Sequence, residues 1–230
     1  MQTWSAPLGA DRRVRVVVTD RSAGDLCVDL PADALDERRR SVIDRPWIWL
    51  RQVHGTEVAV LGPHDRPGVV AGASADAVIT ARADVAIAAH SADCATVALW
   101  SPEGLIAVVH AGWRGLGSGV ITRTTASMRS LGATDLHAFV GPSIGPECYS
   151  FGAADLTEMV TIFDRTVVST TAAGDPALDV RAAVRLELGR NEIEQAGGVE
   201  DCTACRSDLY WSHRARADTS RHALVCWVES

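Results

Sequence analysis

Three segments of this 230-residue chain concentrate side chains able to do chemistry. Arg51-Gln52-Val53-His54-Gly55-Thr56 ends an apolar run in a polar cluster closed by glycine. His90-Ser91-Ala92-Asp93-Cys94 is a polar stop between two apolar runs. His110-Ala111-Gly112-Trp113-Arg114-Gly115 ends Leu105–Val109 and leads into a helical pattern. Strand ends that open onto a helix amino terminus are the usual position for sites in layered α/β proteins. The imidazoles of His54 and His110 and the thiol of Cys94 make a soft donor set suited to zinc or copper, with a vacant fourth position for water or substrate. Two other readings use the same residues. Cys94 and His110 are the parts of a Cys–His thiol hydrolase, and strand-end His and Cys residues also serve as hydrogen-bonded core. Positions 54, 94 and 110 are too far apart to form a local motif, so the residues alone leave these readings open.

Several neighbours are candidates for lesser roles. The amides of Gly112 to Gly119 and the guanidinium of Arg114 suit an anion such as phosphate, with Gly115 and Arg51 as further candidate contacts. Asp93, beside Cys94, is expected to orient a ligand, and Asp76 is expected to contact substrate or cap a strand end. Cys202-x-x-Cys205 lacks a second pair, or a histidine at zinc-finger spacing, and is expected to be structural or incidental. His64, in a Gly/Pro-rich loop, and His137, at a strand start, are assigned no role.

The elements that must position these groups follow from apolar periodicity. Val14–Thr19 and Leu26–Leu30 read as a hairpin around Ser22–Asp25, and Pro31–Ile43 as a helix with acidic residues first and basic ones last. Trp47–Val53, Glu57–Leu61, Ala77–Thr80, Val85–His90, Ala95–Trp100 and Leu105–His110 read as strands, several apolar on both faces as in a sheet covered on each side. Leu116–Leu131 reads as a helix stopped by Gly132, and Leu136–Val140 as a strand. Asp155–Phe163 and Val180–Ala196 read as helices, the second stopped by Gly197-Gly198, and Ala223–Val228 as a final strand. This order predicts an α/β protein of mixed sheets with helices outside, in one domain over residues 1–230.

Composition removes other classes. The chain is 47% hydrophobic and 22% charged, with net charge −7, ordinary for a globular protein and unsuited to general nucleic-acid binding. All 22 basic residues are arginine, which excludes a Schiff-base lysine and a Walker-type phosphate loop. Six scattered cysteines do not form a disulfide framework, and the first residues lack the pattern of a signal peptide. The most apolar stretch, Asp84–Trp100, is interrupted by His90, Asp93 and Cys94 and is no membrane span. A cytoplasmic location, without membrane association, is the expectation.

Taken together, Gln52-Val53-His54-Gly55, Ala75-Asp76-Ala77, Ala92-Asp93-Cys94 and His110-Ala111-Gly112-Trp113-Arg114-Gly115 resemble the laccase-domain family. Its members are also called YfiH-like proteins, multicopper polyphenol oxidases or peptidoglycan editing factors. The resemblance continues through Gly141–Pro146, Cys148-Tyr149, Cys202-Thr203 and Ser212-His213-Arg214. It implies a single-domain four-layer α/β/β/α arrangement with mixed β-sheets. It also implies a zinc held by His54, Cys94 and His110, in a pocket that acts on purine nucleosides with phosphate: phosphorolysis of adenosine, inosine and methylthioadenosine, with adenosine deamination beside it. Copper as the metal of a phenol oxidase, and a peptidoglycan-precursor hydrolase using Cys94 and His110, are the alternatives; a monomer or weak homo-oligomer is expected. The chain departs from the family pattern at Ser150, where a glutamate is usual, at Thr219-Ser220-Arg221, where Thr-Gly-Arg is usual, and at Tyr210-Trp211. These departures bear on substrate preference and leave the three donors intact.

Overall fold

A computed structural model describes residues 1–9 and 11–229 of the chain. Two sheets dominate. The first contains β1 (Gln2–Pro7), β2 (Arg13–Val18), β15 (His222–Glu229), β8 (Ala86–Ser91) and β3 (Trp47–Ile48), in that order. The second runs β14 (Glu194–Gly198), β11 (His137–Val140), β9 (Ala95–Trp100), β10 (Ile106–Ala111), β7 (Ala77–Thr80) and β5 (Val58–Leu61). Most pairings are antiparallel, while β3–β8, β11–β14 and β5–β7 are parallel, so both sheets are mixed. Two short pairs complete the set: β4 (Leu50–Arg51) with β6 (Ala73–Ser74), and β12 (Val168–Thr170) with β13 (Pro176–Leu178). The helices are α1 (Ala32–Val42), α2 (Trp113–Gly117), α3 (Val120–Ser130), α4 (Ala153–Phe163), α5 (Val180–Arg190) and α6 (His213–Arg216).

Alternation along the strands sets the layers. Val14, Val16 and Val18 of β2, with Leu224, Cys226 and Val228 of β15, meet Ala98, Trp100, Ile106, Val108 and Phe139 of the second sheet, so the sheets pack face to face. The other face of the second sheet, including Val97, Leu99, Ala107 and Val109, is covered by α2, α3, α4 and α5. The other face of the first sheet carries Val17, Ala88, Val225 and Trp227 against Leu35 of α1. This is a four-layer α/β/β/α arrangement. Strands β8, β9 and β10 are buried along their whole length, which is why they read as apolar on both faces.

Four expected elements differ. Leu26–Leu30 is not a strand. β2 is instead flanked by β1 and β15, and the Cys27–Asp29 stretch is freed to line a cavity. The Trp47–Val53 strand is split between β3 and β4, which pair with different partners. The helix expected over Leu116–Leu131 is broken between α2 and α3 at Gly119, whose φ of 83° lies in the left-handed region. The helix expected over Val180–Ala196 ends at Arg190, and residues 194–198 form β14. Gly197 is required there because a Cβ would meet the Trp4 indole at 2.9 Å and the Phe139 ring at 3.0 Å. It marks close packing, not a helix stop.

Candidate metal centre

One buried carboxylate organises the centre. Asp76, 1% exposed, precedes β7 and accepts hydrogen bonds from the amides of Val53 (3.2 Å), His54 (2.9 Å) and Gly55 (2.7 Å). The same carboxylate contacts His110 Nδ1 at 2.8 Å, and its backbone carbonyl accepts from the His110 amide at 2.7 Å. It therefore holds the His54 loop and the His110 ring together. His54 sits at φ 59°, a left-handed conformation unusual for a non-glycine residue and held there by these amide contacts. Gln52 fixes the other side of the loop through a reciprocal pair with the backbone of His90, at 2.7 and 2.8 Å.

Cys94 enters from the turn between β8 and β9. Its neighbour Asp93 has φ 108° and is clamped by Thr203 Oγ1 and the Arg214 amide, both at 2.6 Å, while its carbonyl accepts from Ile144 N at 2.9 Å. The thiol lies 3.8 Å from His54 Nε2, and the rings of His54 and His110 stand edge to face with centroids 4.8 Å apart. All three donor atoms fall within 4.8 Å of one another.

Electrostatics favours a charged centre. Burial alone would push the Cys94 thiol up, but His110, by charge and hydrogen bond, and then His54 bring it down to about 6. Burial would lower His110, and the Cys94 charge and the Asp76 hydrogen bond raise it instead to about 9. Burial of Asp76 is likewise outweighed, by its bonds to His110 and to the Gly55 and His54 amides, so its carboxyl lies below the usual range. A thiolate beside an imidazolium is a proton-filled version of a metal site. The donor types and spacing fit a four-coordinate zinc with one open position, and Asp76 on Nδ1 leaves Nε2 as the free nitrogen of His110.

Gly112 is the residue whose part the sequence reading missed. A Cβ there would lie 2.7 Å from His54 Cδ2, 3.3 Å from Cys94 Sγ and 3.4 Å from His110 Cε1. The glycine clears space for the three side chains. Its signal was its place in the run after His110, where glycine was read as supplying amides to an anion.

The centre opens into a cavity of about 420 Å³, within the range of small-molecule sites. His54, Cys94 and His110 line it, together with Cys27–Asp29, Leu50, Gln52, His90, His213 and Arg221. Arg51, Asp76, Asp93, Arg114 and Gly115 are not among its lining residues. Arg51 is exposed and pairs with Asp29 at 3.1 Å; Arg114 lies over the Trp113 ring at 4.3 Å; Gly115 packs tightly on the Gly55 carbonyl. Arg221, Asp29 and His90 were not expected as cavity residues. His90 is buried, both its ring nitrogens lack a partner among the described residues, and burial lowers it to about 3, so the ring is neutral.

A four-layer mixed α/β fold that aims a thiol and two imidazoles into one cavity defines a class, and the comparisons place the chain within it. A family model described as multi-copper polyphenol oxidoreductase laccase matches residues 24–229, and the chain belongs to that family. A relative from Mycobacterium tuberculosis named purine nucleoside phosphorylase is 34% identical over 239 residues, covering 94% of this chain and 93% of its own. A Streptomyces griseus protein of the same name is 33% identical over 186 residues, covering 79% and 74%. Among solved structures, a Neisseria meningitidis protein superposes with a TM-score of 0.81 at 24% identity, covering 99% of both chains. YlmD from Geobacillus stearothermophilus gives 0.80 at 24%, covering 98% and 94%. These two share the fold. No helix among the described residues is long and apolar enough to cross a membrane.

Proposed function

We propose that residues 1–230 form one catalytic unit, a zinc-dependent purine nucleoside phosphorylase, with His54, Cys94 and His110 as the metal ligands and catalytic core. The observation that carries this reading is the convergence of those three donors on one cavity in a chain whose relatives bear that name. In phosphorolysis a phosphate oxygen bonds to the ribose C1′ as the C1′–N9 bond breaks. N9 leaves with the electron pair and takes up a proton, giving free base and ribose 1-phosphate. The chemistry the ion supplies when bound is Lewis-acid charge beside the reacting groups.

The rest falls to the protein. Asp76 keeps the proton of His110 on Nδ1 and so fixes the ring's orientation. Arg221 is the arginine on the cavity wall. Its Nη1 is anchored on the carbonyls of Asp218, Thr219 and Ser220, which sets the guanidinium to receive an anion. Neutral His90 stands in the wall of the same cavity with its ring nitrogens buried. Adenosine, inosine and methylthioadenosine are the substrates of this reading, and conversion of adenosine to inosine is its accompanying activity.

The test is separation of products after adenosine is mixed with purified protein, with and without phosphate. Adenine and ribose 1-phosphate that form only with phosphate, and are lost in Cys94→Ala, are the expected result. Phosphate-independent turnover of a wall-precursor peptide, or oxidation of a phenol with added copper, in place of base release would overturn it.

A further inference from the structure

Cys202-x-x-Cys205 has no partnering pair in its own segment, and the fold supplies one from elsewhere. A parallel bridge joins Ser143 to Cys202, and the Thr203 amide donates to the Ser143 carbonyl at 3.2 Å. This sets the 202–206 turn against the short 3-10 turn at Pro146–Cys148. Four donors then face one another: Glu147, Cys148, Cys202 and Cys205, with ligand atoms all within 4.8 Å. Cys148 Sγ lies 3.5 Å from Cys205 Sγ, and Cys205 Sγ lies 3.6 Å from Glu147 Oε1. Ligands at zinc's usual distances, about 2.3 Å for sulfur and about 2.0 Å for oxygen, form a tetrahedron with edges of about 3.5–3.8 Å. The three cysteines are free thiols, the Cys148–Cys205 and Cys205–Glu147 separations match such edges, and Cys202 Sγ lies within 4.8 Å of the others.

Two backbone features complete the cradle. The Gly145 amide donates to Cys202 Sγ at 3.1 Å, a contact that stabilises sulfur carrying negative charge. The place a Cβ would take on Gly145 is occupied by the Glu147 carboxylate, which folds back over the glycine towards the sulfurs. Three thiolates select soft or borderline metals, and the carboxylate favours zinc over monovalent copper.

We propose that Glu147, Cys148, Cys202 and Cys205 bind a second zinc ion, in a closed four-ligand structural site. Binding releases the three thiol protons to water and pins the 143–149 loop to the 202–206 turn. That turn also supplies Thr203 to Asp93, so the ion braces the residue next to Cys94 from behind. The proposal does not depend on the reading of the cavity as a phosphorylase site.

The test counts zinc in protein purified with reductant. Cys94→Ala is expected to keep one zinc per chain, and Cys94→Ala with Cys205→Ser to keep none. Independently of either variant, alkylation of Cys148, Cys202 and Cys205 in the unaltered protein, mapped by mass spectrometry, is expected to be blocked until a chelator is added. A zinc-free Cys94→Ala protein, thiols alkylated equally with and without chelator, or a Cys148–Cys205 disulfide in zinc-saturated protein would each overturn it.

Discussion

In the cavity, a thiol sits between two imidazoles, one of them tied to a buried carboxylate; some way along the chain, three thiols face a carboxylate and one another. Both sets contain thiols, and the groups around those thiols are of opposite charge. His110 and His54 supply positive charge, so Cys94 is drawn down to about 6 before any metal arrives. In the second cluster burial raises the Cys148 thiol, and the hydrogen bond that the Cys205 thiol gives to Cys148, with burial, pushes Cys205 up to about 12. One centre carries its own counter-charge and leaves a coordination position open. The other has only acidic groups, and four of them. An open set of three donors is the arrangement of reactive metal sites, and a closed set of four that of structural ones. What differs between them is the charge and count of the donors.

The largest expected effect belongs to the first centre. On the proposed reading, Cys94→Ala removes the one sulfur donor of the cavity set and the charge partner of His110, and both metal retention at that centre and turnover should vanish in zinc analysis and product assays. Normal phosphorolysis by this variant would break the contrast between a reactive and a structural cluster. Gly112→Ala should come next. Its Cβ cannot lie 2.7 Å from His54 Cδ2, so the ring must shift. Metal affinity should fall about 10–100-fold, as when a supporting residue is lost. Overpacking should cost about 1–3 kcal/mol of stability, read by denaturant titration. Unchanged zinc affinity in Gly112→Ala would show that His54 has slack the packing does not suggest.

The same contrast explains what the sequence could reveal. The three cavity segments stood out because a polar cluster follows each apolar run, but positions 54, 94 and 110 form no local motif, and only the family resemblance gathered them into one set. His54 lies in a loop beyond β4 and closes no buried strand. The layers were legible because β8, β9 and β10 are apolar on both faces. The second cluster was not, because Cys202-x-x-Cys205 is completed by Glu147 and Cys148 through the Ser143–Cys202 bridge, and a contact across 57 residues leaves no local periodicity. The strand at residues 194–198 was hidden for a related reason. Gly197 is demanded by Trp4 at the other end of the chain and Gly198 packs on the Val140 carbonyl, and in isolation the pair reads as a helix stop. Asp76 was noticed, but its four contacts lie on residues 53–55 and 110 and could not be counted from the sequence.

Asp76→Asn sharpens the electrostatic half of the comparison. The groups acting on the Cys94 thiol are His54 and His110, with Asp76 acting through His110 and Tyr149 nearby. Removing the carboxylate lowers His110, so less imidazolium remains to hold the thiolate, and the Cys94 pKa rises. In metal-free protein, alkylation of Cys94 against pH should have its midpoint near 6, and the midpoint should move to higher pH in Asp76→Asn. Metal affinity should weaken by about 10–100-fold. An alkylation profile that does not move would mean that the Cys94 charge holds the proton on His110 without help from Asp76.

The smallest expected effect lies where the two regions meet. Thr203 follows Cys202, and its hydroxyl donates to Asp93 at 2.6 Å, while Asp93 precedes Cys94. Thr203→Val keeps the shape and removes that donor from a buried carboxylate whose other oxygen still accepts from the Arg214 amide. An acceptor left without its partner costs about 1–3 kcal/mol. At about 2–4 °C per kcal/mol for a chain of this size, thermal unfolding should come several degrees earlier. Neither cluster loses a ligand, so zinc content should be unchanged. The turn that holds Asp93 at φ 108° is nevertheless loosened, and Cys94 rides on it. Turnover should therefore fall while the metal count holds, a split that loss of either ion would not produce. If turnover and stability both stay at the original level, the two clusters share a fold without being mechanically coupled.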